Sequence, residues 1–273
     1  MIYAALVTGH LTATYDDLLD APELSFDPWS RSNLENFRPR HELLLAALEA
    51  HAHGPRERIA DVGCQNGFFL RMASELGYRE LIAVDAFTLP PERSFLTGLD
   101  GVNFVHANFN EAGFLSSIAD GSVDCVVSTE VLEHLFNHPV GYLREVWRVL
   151  RADGLLLLST PNPSTLAAAI KLLRGKSPTW GDVTFAQVEK VAPDEKPAAF
   201  WDIHFREYAA EDLRGLVLDL PGAEIIESGF VANAPSHTDS RPKRYAKSLV
   251  HRTGLARHRL AAATQYYVVR KSA

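Results

Sequence analysis

The sequence predicts an α/β fold in which a mostly parallel sheet has helices on both faces. Short apolar runs typical of buried strands recur through the middle of the chain, and amphipathic or connecting segments separate them. This alternation is typical of parallel sheets whose crossover connections cover both faces. A chain of 273 residues, with 47% hydrophobic and 22% charged residues, suits one large α/β domain or two small ones.

The central elements follow from the pattern of apolar residues. Strands are predicted at 57–62, 80–85, 102–106, 123–129 and 154–160, and helices over 67–76, near 111–119 and over 143–150. The last helix has Leu143, Val146 and Trp147 on one face. Its end is predicted at Asp153-Gly154, because glycine can adopt the left-handed conformation of a helix cap.

The segments on either side of this core differ from it. Residues 1–55 contain one amphipathic helix, over 38–52, and are interpreted as an N-terminal helical cap on a main domain of residues 56–273. Residues 161–207 are rich in proline and interrupt the alternation, so we expect a lid that binds the acceptor at the carboxyl edge of the sheet. The tail then predicts a helix over 211–220 and strands at 223–230 and 265–271.

Charge is unevenly distributed along the chain. The formal net charge is −7, yet residues 241–260 contain seven Lys and Arg and no acid, which leaves −14 for the remainder. This basic stretch is either a solvated connector between two late strands or a patch that meets phosphate, an anionic membrane surface or an acidic substrate. The acidic balance elsewhere argues against a general nucleic-acid binder.

The length of the apolar runs and the number of cysteines indicate the cellular compartment. The longest apolar runs fall far short of the roughly 20 residues needed to cross a bilayer, and the first residues lack the basic start of a signal peptide. A cytoplasmic protein is therefore expected. Cys64 and Cys125 are interpreted as free thiols.

The stretch "DVGCQNGFF", residues 61–69, joins the first predicted strand to a helix. A strand end, a glycine turn and a helix N-terminus together present backbone N–H groups to a ligand. Gly63 and Gly67 are four residues apart and do not fit G-x-G-x-x-G, so a nicotinamide or flavin dinucleotide is disfavoured. Asp85 ends the next strand, where an acid can accept both hydroxyls of a ribose. Together these features predict an adenosine-containing ligand without a pyrophosphate.

The stretches "DVGCQNGFF", "LIAVD", "VHANFNE", "SVDCVVSTEVLEHLFN" and "LREVWRVLRADGLLLLSTPNP" occur in this order over about residues 55–163. With them the sequence resembles the class I S-adenosylmethionine-dependent methyltransferases, and most of all the small-molecule branch (type 11) that includes the ubiquinone-pathway O-methyltransferases. The resemblance implies a Rossmann-like sheet of seven strands, the last antiparallel. It also implies S-adenosyl-L-methionine as cofactor and S-adenosyl-L-homocysteine as product.

The resemblance also implies which residues hold the cofactor. The first turn would surround the methionine part, Asp85 the ribose, and Asn108 with Phe109 the adenine. Gln65 stands where the family usually has glycine, and we expect its side chain to point away from the cofactor. The full predicted set is Asp61, Gly63, Cys64, Gly67, Asp85, Ala86, Asn108, Phe109 and Thr129.

Candidate catalytic residues follow the fourth strand. Glu130, Glu133 and His134 have the spacing of one helix face, and His204 is the candidate to join them from outside. Two interpretations stay open: Glu130, Glu133, His134 and His204 chelate a divalent metal, or His134 acts as a base without metal while Glu130 orients the site. Further candidates are Ser128 and His138 near the same strand end, Tyr15, Trp29, Phe37 and Arg40 in the cap, and the aromatic residues Phe200, Trp201, Phe205 and Tyr208.

The predicted function is methyl transfer to a small molecule, at a hydroxyl oxygen, in secondary-metabolite, lipid or glycan biosynthesis. Two alternatives are a metal-dependent 2′-O-methyltransferase of an RNA 3′-terminal ribose and a catalytically inactive scaffold subunit of the same fold. We expect a small-molecule acceptor as the partner and no binding of nucleic acid. Peripheral membrane contact through residues 241–260 stays open. The sequence does not predict the acceptor or the oligomeric state.

Overall fold

The computed structural model of the chain describes residues 9–24, 28–54, 56–86, 91, 94–178 and 204–272. Their strands form one sheet in the order β3-β2-β1-β4-β5-β7-β6. Strand β7 is antiparallel to both of its neighbours, and the other pairs are parallel. The predicted seven-stranded Rossmann-like sheet with an antiparallel last strand is confirmed. The strands are β1 Arg58–Val62, β2 Glu80–Asp85, β3 Val102–His106, β4 Val123–Thr129, β5 Leu150–Pro161, β6 Ala223–Val231 and β7 Thr264–Lys271.

Helices cover both faces of this sheet, as predicted. Successive strand residues point to opposite faces, so Ile59 is buried with α1, α2 and α3 on one side, and Ala60 is buried with α4 and α6 on the other. Among the described residues, none of the helices combines the length and apolarity that a bilayer-spanning segment needs. The helices of this part are α1 Gly9–Leu19, α2 Pro28–His51, α3 Phe68–Glu75, α4 Pro139–Val149, α5 Leu166–Leu173, α6 Ala210–Leu218 and α7 Arg241–Arg252.

The helix predicted near residues 111–119 is wrong. This segment consists of tight turns, in which the N–H of Ser116 donates to the carbonyl of Gly113 and the N–H of Ile118 to that of Leu115. Gly113 has a φ of +69°, outside the helical range. Burial of Leu115 and Ile118, rather than helical hydrogen bonding, holds the segment against the sheet.

The end predicted for α4 at Asp153-Gly154 is also wrong. The helix ends at Val149, and Leu150 already begins β5, four residues before the predicted start of that strand. Asp153 has the left-handed φ, +60°, whereas Gly154 does not. A Cβ on Gly154 would lie 2.9 Å from the carbonyl oxygen of Arg151, so this glycine permits close backbone approach. The pair therefore forms an irregularity in β5, where its register with β4 shifts.

The predicted cap and lid are only partly described. Helix α2 begins at Pro28, ten residues before the predicted start of the N-terminal helix, and packs into the core on one face of the sheet. Helix α5 lies in the first part of the predicted lid. Residues 179–203, which include the expected aromatic side chains of Phe200 and Trp201, lie outside the described residues.

Candidate functional site

A cavity of about 480 Å³ opens at the carboxyl ends of β1 and β4. Its wall is built by the loop after β1, the segment after β4, one face of α2 and the start of β7. This is the edge at which open parallel sheets bind ligands. The predicted site residues in its wall are Asp61, Gly63, Cys64, Thr129, Glu130, Glu133, His134 and His204.

Left-handed backbone conformations shape the loop after β1. Gly63 and Gly67 have φ values of +87° and +76°, and a Cβ on Gly63 would lie 2.5 Å from Cγ2 of Val131. Gln65 also has a positive φ, +46°, and its N–H donates to Oδ2 of Asp85 at 2.8 Å. Gln65 is exposed and is itself one of the residues that line the cavity. Gln65 therefore occupies a position whose backbone favours glycine.

The backbone of Gln65 gives a testable expectation for stability. Replacing Gln65 with glycine should raise the free energy of unfolding by about 0.5–1 kcal/mol, because glycine adopts a left-handed φ without the Cβ clash. Urea unfolding followed by circular dichroism measures the change. Asn66→Gly is the matched control and should lower stability, since Asn66 has no positive φ and its Oδ1 accepts the N–H of Phe68. An unchanged or lowered stability of Gln65→Gly would contradict the strain assigned to this loop.

Asp61 presents a buried oxygen to the cavity. The residue is 3% exposed, and its Oδ1 has no hydrogen-bond partner among the described residues. Burial, reinforced by the nearby charge of Asp85, raises the pKa of Asp61 from 3.8 to about 7, and Arg40 opposes this shift. A buried acceptor without a donor is costly. A cationic donor placed in the cavity would satisfy it.

The face of α2 that points to the cavity contributes residues at spacings of three and four. Asn33, Phe37 and Arg40 line the cavity with their neighbours Leu34 and His41. Of the four cap residues predicted to close over the cofactor, Phe37 and Arg40 thus reach the cavity. Tyr15 packs beneath it, with its hydroxyl donating to the carbonyl of Leu34, and the side chain of Trp29 lies outside the described part.

Arg40 connects α2 to the segment after β4. Its Nη1 lies 3.0 Å from Oε1 of Glu130, and its guanidinium stacks over the ring of Phe37, 4.2 Å from the centroid. Burial, with the charge of Arg40 beside it, holds the pKa of His41 well below its usual range. Sequence reasoning missed Asn33, Leu34 and His41, although the stripe they form with Phe37 and Arg40 has helical period.

The E-V-L-E-H segment does not form the predicted continuous helix. Glu130 has a φ of +55°, and only Leu132–His134 form a single 3₁₀ turn. Glu130 is therefore directed toward Arg40 and accepts from the hydroxyl of Ser159, at 3.3 Å, instead of joining Glu133 and His134. Two other candidates from this strand end also lie elsewhere, because Ser128 is buried against the hydroxyl of Tyr142 and His138 caps α4.

Glu133, His134 and His204 converge at one corner of the cavity. Their potential ligand atoms all lie within 4.8 Å of one another, and the two imidazole rings meet edge to face with centroids 4.9 Å apart. The carbonyl of Glu133 accepts the N–H of Phe205 at 2.7 Å, which holds His204 beside the turn. Nδ1 of His204 in turn lies 2.8 Å from Oε1 of Glu207.

Glu133 is fully buried at this corner. Its Oε2 accepts from the hydroxyl of Thr160 at 2.9 Å, and its Oε1 faces Nε2 of His134 at 3.9 Å, too far for a hydrogen bond. Burial, and next the charge of Glu130, raises the pKa of Glu133 well above its usual range. This shift favours the neutral form of the Glu133 carboxyl, which forms the wall of the cavity beside His134.

The predicted ribose and adenine residues lie beside the cavity rather than in its wall. Asp85 is buried and accepts the N–H of Gln65, while Asn108 donates to Glu111 and accepts the N–H of Asn110. Phe109 is buried in edge-to-face contact with Phe114 and Tyr142. Gly67 and Ala86 also lie outside the wall. Burial raises the pKa of both cysteine thiols, Cys64 and Cys125, which are free as predicted.

A known protein family and several known sequences match the central part of this chain. A family model described as "Methyltransferase domain" matches residues 60–158. The chain is 31% identical over 129 residues to a "Probable S-adenosylmethionine-dependent methyltransferase" of Mycolicibacterium smegmatis, covering 47% of this chain and 46% of that protein. It is 28% identical over 137 residues to a "Ubiquinone biosynthesis O-methyltransferase" of Burkholderia pseudomallei, covering 49% and 58%. The chain thus spans about half the length of the curated relatives it matches.

A solved structure has the same fold over almost the whole chain. It is the 1,6-didemethyltoxoflavin-N1-methyltransferase of Burkholderia thailandensis, solved with 1,6-didemethyltoxoflavin and S-adenosylhomocysteine. The TM-score is 0.53, with 20% identity over 98% of this chain and 92% of that one. At 20% identity this likeness shows a shared fold and nothing further.

Proposed function

Since the core of this chain is a class I S-adenosylmethionine-dependent methyltransferase domain, we propose that the protein transfers a methyl group from S-adenosylmethionine to a hydroxyl oxygen of a small molecule. Bound S-adenosylmethionine supplies a methyl group already activated on a sulfonium. The protein must therefore mainly position the acceptor and remove its proton. Secondary-metabolite, lipid or glycan biosynthesis is the proposed setting.

The observation that carries this proposal is the unsatisfied carboxylate of Asp61 in the cavity wall. Asp61 would accept hydrogen bonds from the ammonium of the methionine part. The positive charge would stabilise the ionised form of a carboxyl whose pKa burial has raised to about 7. Gly63 presents its backbone to the cavity, and its lack of a Cβ leaves room for the side chain of Val131. These features fit an amino-acid end better than a phosphate, which Asp61 would repel.

The rest of the cofactor site is proposed from the family resemblance. Gly63, Cys64, Gly67 and Thr129 would border the methionine part, and Asp85 with Ala86 the ribose. Asp85 is buried at the end of β2, next to the loop. Asn108 and Phe109 would contact the adenine. Asn108 stands where the family has an acid, and its side-chain carbonyl oxygen can accept a hydrogen bond from the adenine amino group.

We propose His134 as the base that takes the acceptor proton. Its imidazole lines the cavity, and burial raises the pKa of Glu133 beside it, which favours an uncharged carboxyl there. Glu130, held by Arg40, and His204, held by Glu207, orient the acceptor from either side. Phe136 and Phe205 are exposed and pack edge to face next to these histidines, which suits an apolar acceptor.

The N-terminal cap and the lid have separate proposed roles. Residues 1–55 would close the cavity through α2, which supplies Asn33, Phe37 and Arg40 to its wall. Residues 161–207 would bind the acceptor, with Pro161 and His204 at the cavity as their described contributions. Residues 56–273 would form the methyltransferase domain around them.

A divalent cation is a second candidate for the corner of Glu133, His134 and His204, favoured by the convergence of their ligand atoms. Two imidazoles and a carboxylate suit Mn²⁺ or Zn²⁺. The hydrogen bond from Thr160 and the raised pKa of Glu133 oppose it, because Glu133 must ionise to bind a cation. If a cation binds here, EDTA should abolish turnover, and His204→Ala should lose Mn²⁺ binding in calorimetry. Full turnover in EDTA would leave His134 as a base without metal.

Methyl transfer is tested with donor labelled in the methyl group and a panel of hydroxylated apolar compounds, with a short RNA as a further acceptor. The proposal expects label in one or more of the compounds and none in the RNA. Methylation of the RNA alone would overturn the small-molecule assignment. Absence of donor binding in calorimetry would favour the inactive scaffold instead.

A further inference from the structure

Cationic residues are segregated on one part of the molecule. Residues 164–178 and 241–263 together contain ten Lys and Arg and no Asp or Glu, although the chain has a net charge of −7. The remainder of the chain therefore carries −17. This segregation creates a local positive field on an acidic protein.

Helix α7 has two different sides. One side is fixed to the body of the protein: Nζ of Lys247 contacts the side chains of Asn36 and Asp239, and Lys243 pairs with Asp239 at 2.7 Å. The other side exposes Tyr245 (69%) and Leu249 (48%) between Arg241 and Arg252. These four residues follow a spacing of three and four, so they share one face.

Helix α5 continues this surface. Leu166, Ile170, Leu172 and Leu173 are exposed, the last to 89%, and Lys171 and Arg174 are exposed among them. The N–H of Leu166 donates to the carbonyl of Leu260, and Nδ2 of Asn162 donates to the carbonyls of Arg259 and Ala262. These bonds join α5 to the chain that follows α7, where Leu255 and Leu260 are also exposed. We call α5 together with residues 241–260 the basic apolar face.

We propose that the basic apolar face binds the surface of an anionic phospholipid bilayer. Its exposed apolar residues are mostly aliphatic, so they can enter the acyl boundary but cannot stack on bases as a single-stranded nucleic-acid site would require. Among the described residues, Arg241, Arg252, Arg257 and Arg259 form no ion pair with a carboxylate, so their charges are available to lipid phosphates.

The basic apolar face lies close to the cavity of the proposed methyl transfer. The membrane-binding proposal does not depend on that function. Pro161, Ala263 and Thr264 line the cavity and lie directly before α5 and after residue 260. A protein held at a bilayer by this face would present its cavity next to the lipid surface. An apolar acceptor could then enter from the membrane.

Sedimentation with vesicles tests the proposal. The full chain is mixed with vesicles of phosphatidylcholine alone or of phosphatidylcholine with phosphatidylglycerol, and the bound fraction is measured at two salt concentrations. We expect binding only to the anionic vesicles, weakened by salt. The variant Arg241→Gln/Arg252→Gln should bind about 25-fold more weakly, because each arginine near an anionic surface contributes a factor of about five. Tyr245→Ser/Leu249→Ser should lose binding as well.

A matched variant separates local from overall charge. Arg144→Gln/Arg214→Gln removes the same charge from exposed positions of α4 and α6, on the other side of the sheet, and should bind like wild type. Equal losses in both pairs, no binding to anionic vesicles, or tighter binding to an RNA oligonucleotide would each overturn the proposal. So would a Leu173→Ser variant that unfolds more readily but binds vesicles normally, since Leu173 would then be buried in the folded protein and not available to a bilayer. Binding of S-adenosylhomocysteine, measured in parallel, reports on the proposed function separately.

Discussion

Replacing Asp61 with asparagine is expected to weaken S-adenosylmethionine binding by about 100-fold, because a charge-assisted contact to the donor ammonium is lost. The same substitution should stabilise the protein without cofactor. At pH 8 we expect the free energy of unfolding to rise by about 2 kcal/mol, since a buried ionised carboxylate is removed. Calorimetric titration and urea unfolding measure the two effects.

The pH dependence follows from the raised pKa of Asp61. The folded chain holds the Asp61 proton up to about pH 7, whereas the unfolded value is 3.8. Between these values the folded state binds more protons, so this group's contribution to stability is present below pH 4 and is lost as pH rises toward 7. Cofactor affinity should rise over the same range, because the donor ammonium favours the ionised form. Both dependences should flatten in Asp61→Asn.

A control removes one carboxylate from a solvent-exposed position. Asp212→Asn, in the first turn of α6, should leave the cofactor dissociation constant and its pH dependence unchanged. If Asp61→Asn bound the donor as tightly as wild type, Asp61 would not be the group that holds the ammonium. If it destabilised the protein at pH 8, the cost assigned to the buried charge would be wrong.

Replacing His134 with alanine is expected to lower kcat by 10²–10⁴-fold and to leave the dissociation constant of S-adenosylhomocysteine within about a factor of two. The reason is that His134 lines the cavity as the proposed base, whereas Asp61 and the glycine loop hold the donor. Steady-state turnover and calorimetry on the same preparations separate the two quantities.

His138→Ala is the matched control for this substitution. His138 is four residues further along and exposed, and its ring caps α4 by accepting the N–H of Val140. Its loss should reduce stability by about 0.5–1 kcal/mol and leave kcat unchanged. Equal losses of kcat in the two variants would show that disturbance of the segment after β4, and not a proton transfer by His134, limits turnover.

The sequence predicted the strands well because their pattern is local. The bounds predicted for β2, β3 and β4 match the structure, and the antiparallel last strand follows from the family resemblance. The helix predicted near 111–119 failed because Gly113 takes a left-handed φ and because burial of Leu115 holds the turns instead. The local helix propensity of these residues includes neither of these effects.

The site was predictable where chain order fixes it and less so where packing does. Asp61, Gly63 and His134 follow directly from strand ends, and all three line the cavity. The departure of Glu130 from the predicted helix face depends on its positive φ and on its ion pair with Arg40, ninety residues away. The contribution of His41 and Asn33 depends on how α2 packs over the loop. A distant helix cannot be oriented from its own periodicity.

A crystal structure of the protein grown with S-adenosylhomocysteine would show whether Asp61 holds the amino-acid end of the ligand. We expect the amino group of the ligand to lie within hydrogen-bond distance of Oδ1 of Asp61, above the backbone of Gly63. This expectation would be contradicted by a ligand whose amino group lies elsewhere while Asp61 keeps no partner, or by a cavity into which the side chain of Gln65 has turned and from which the ligand is excluded.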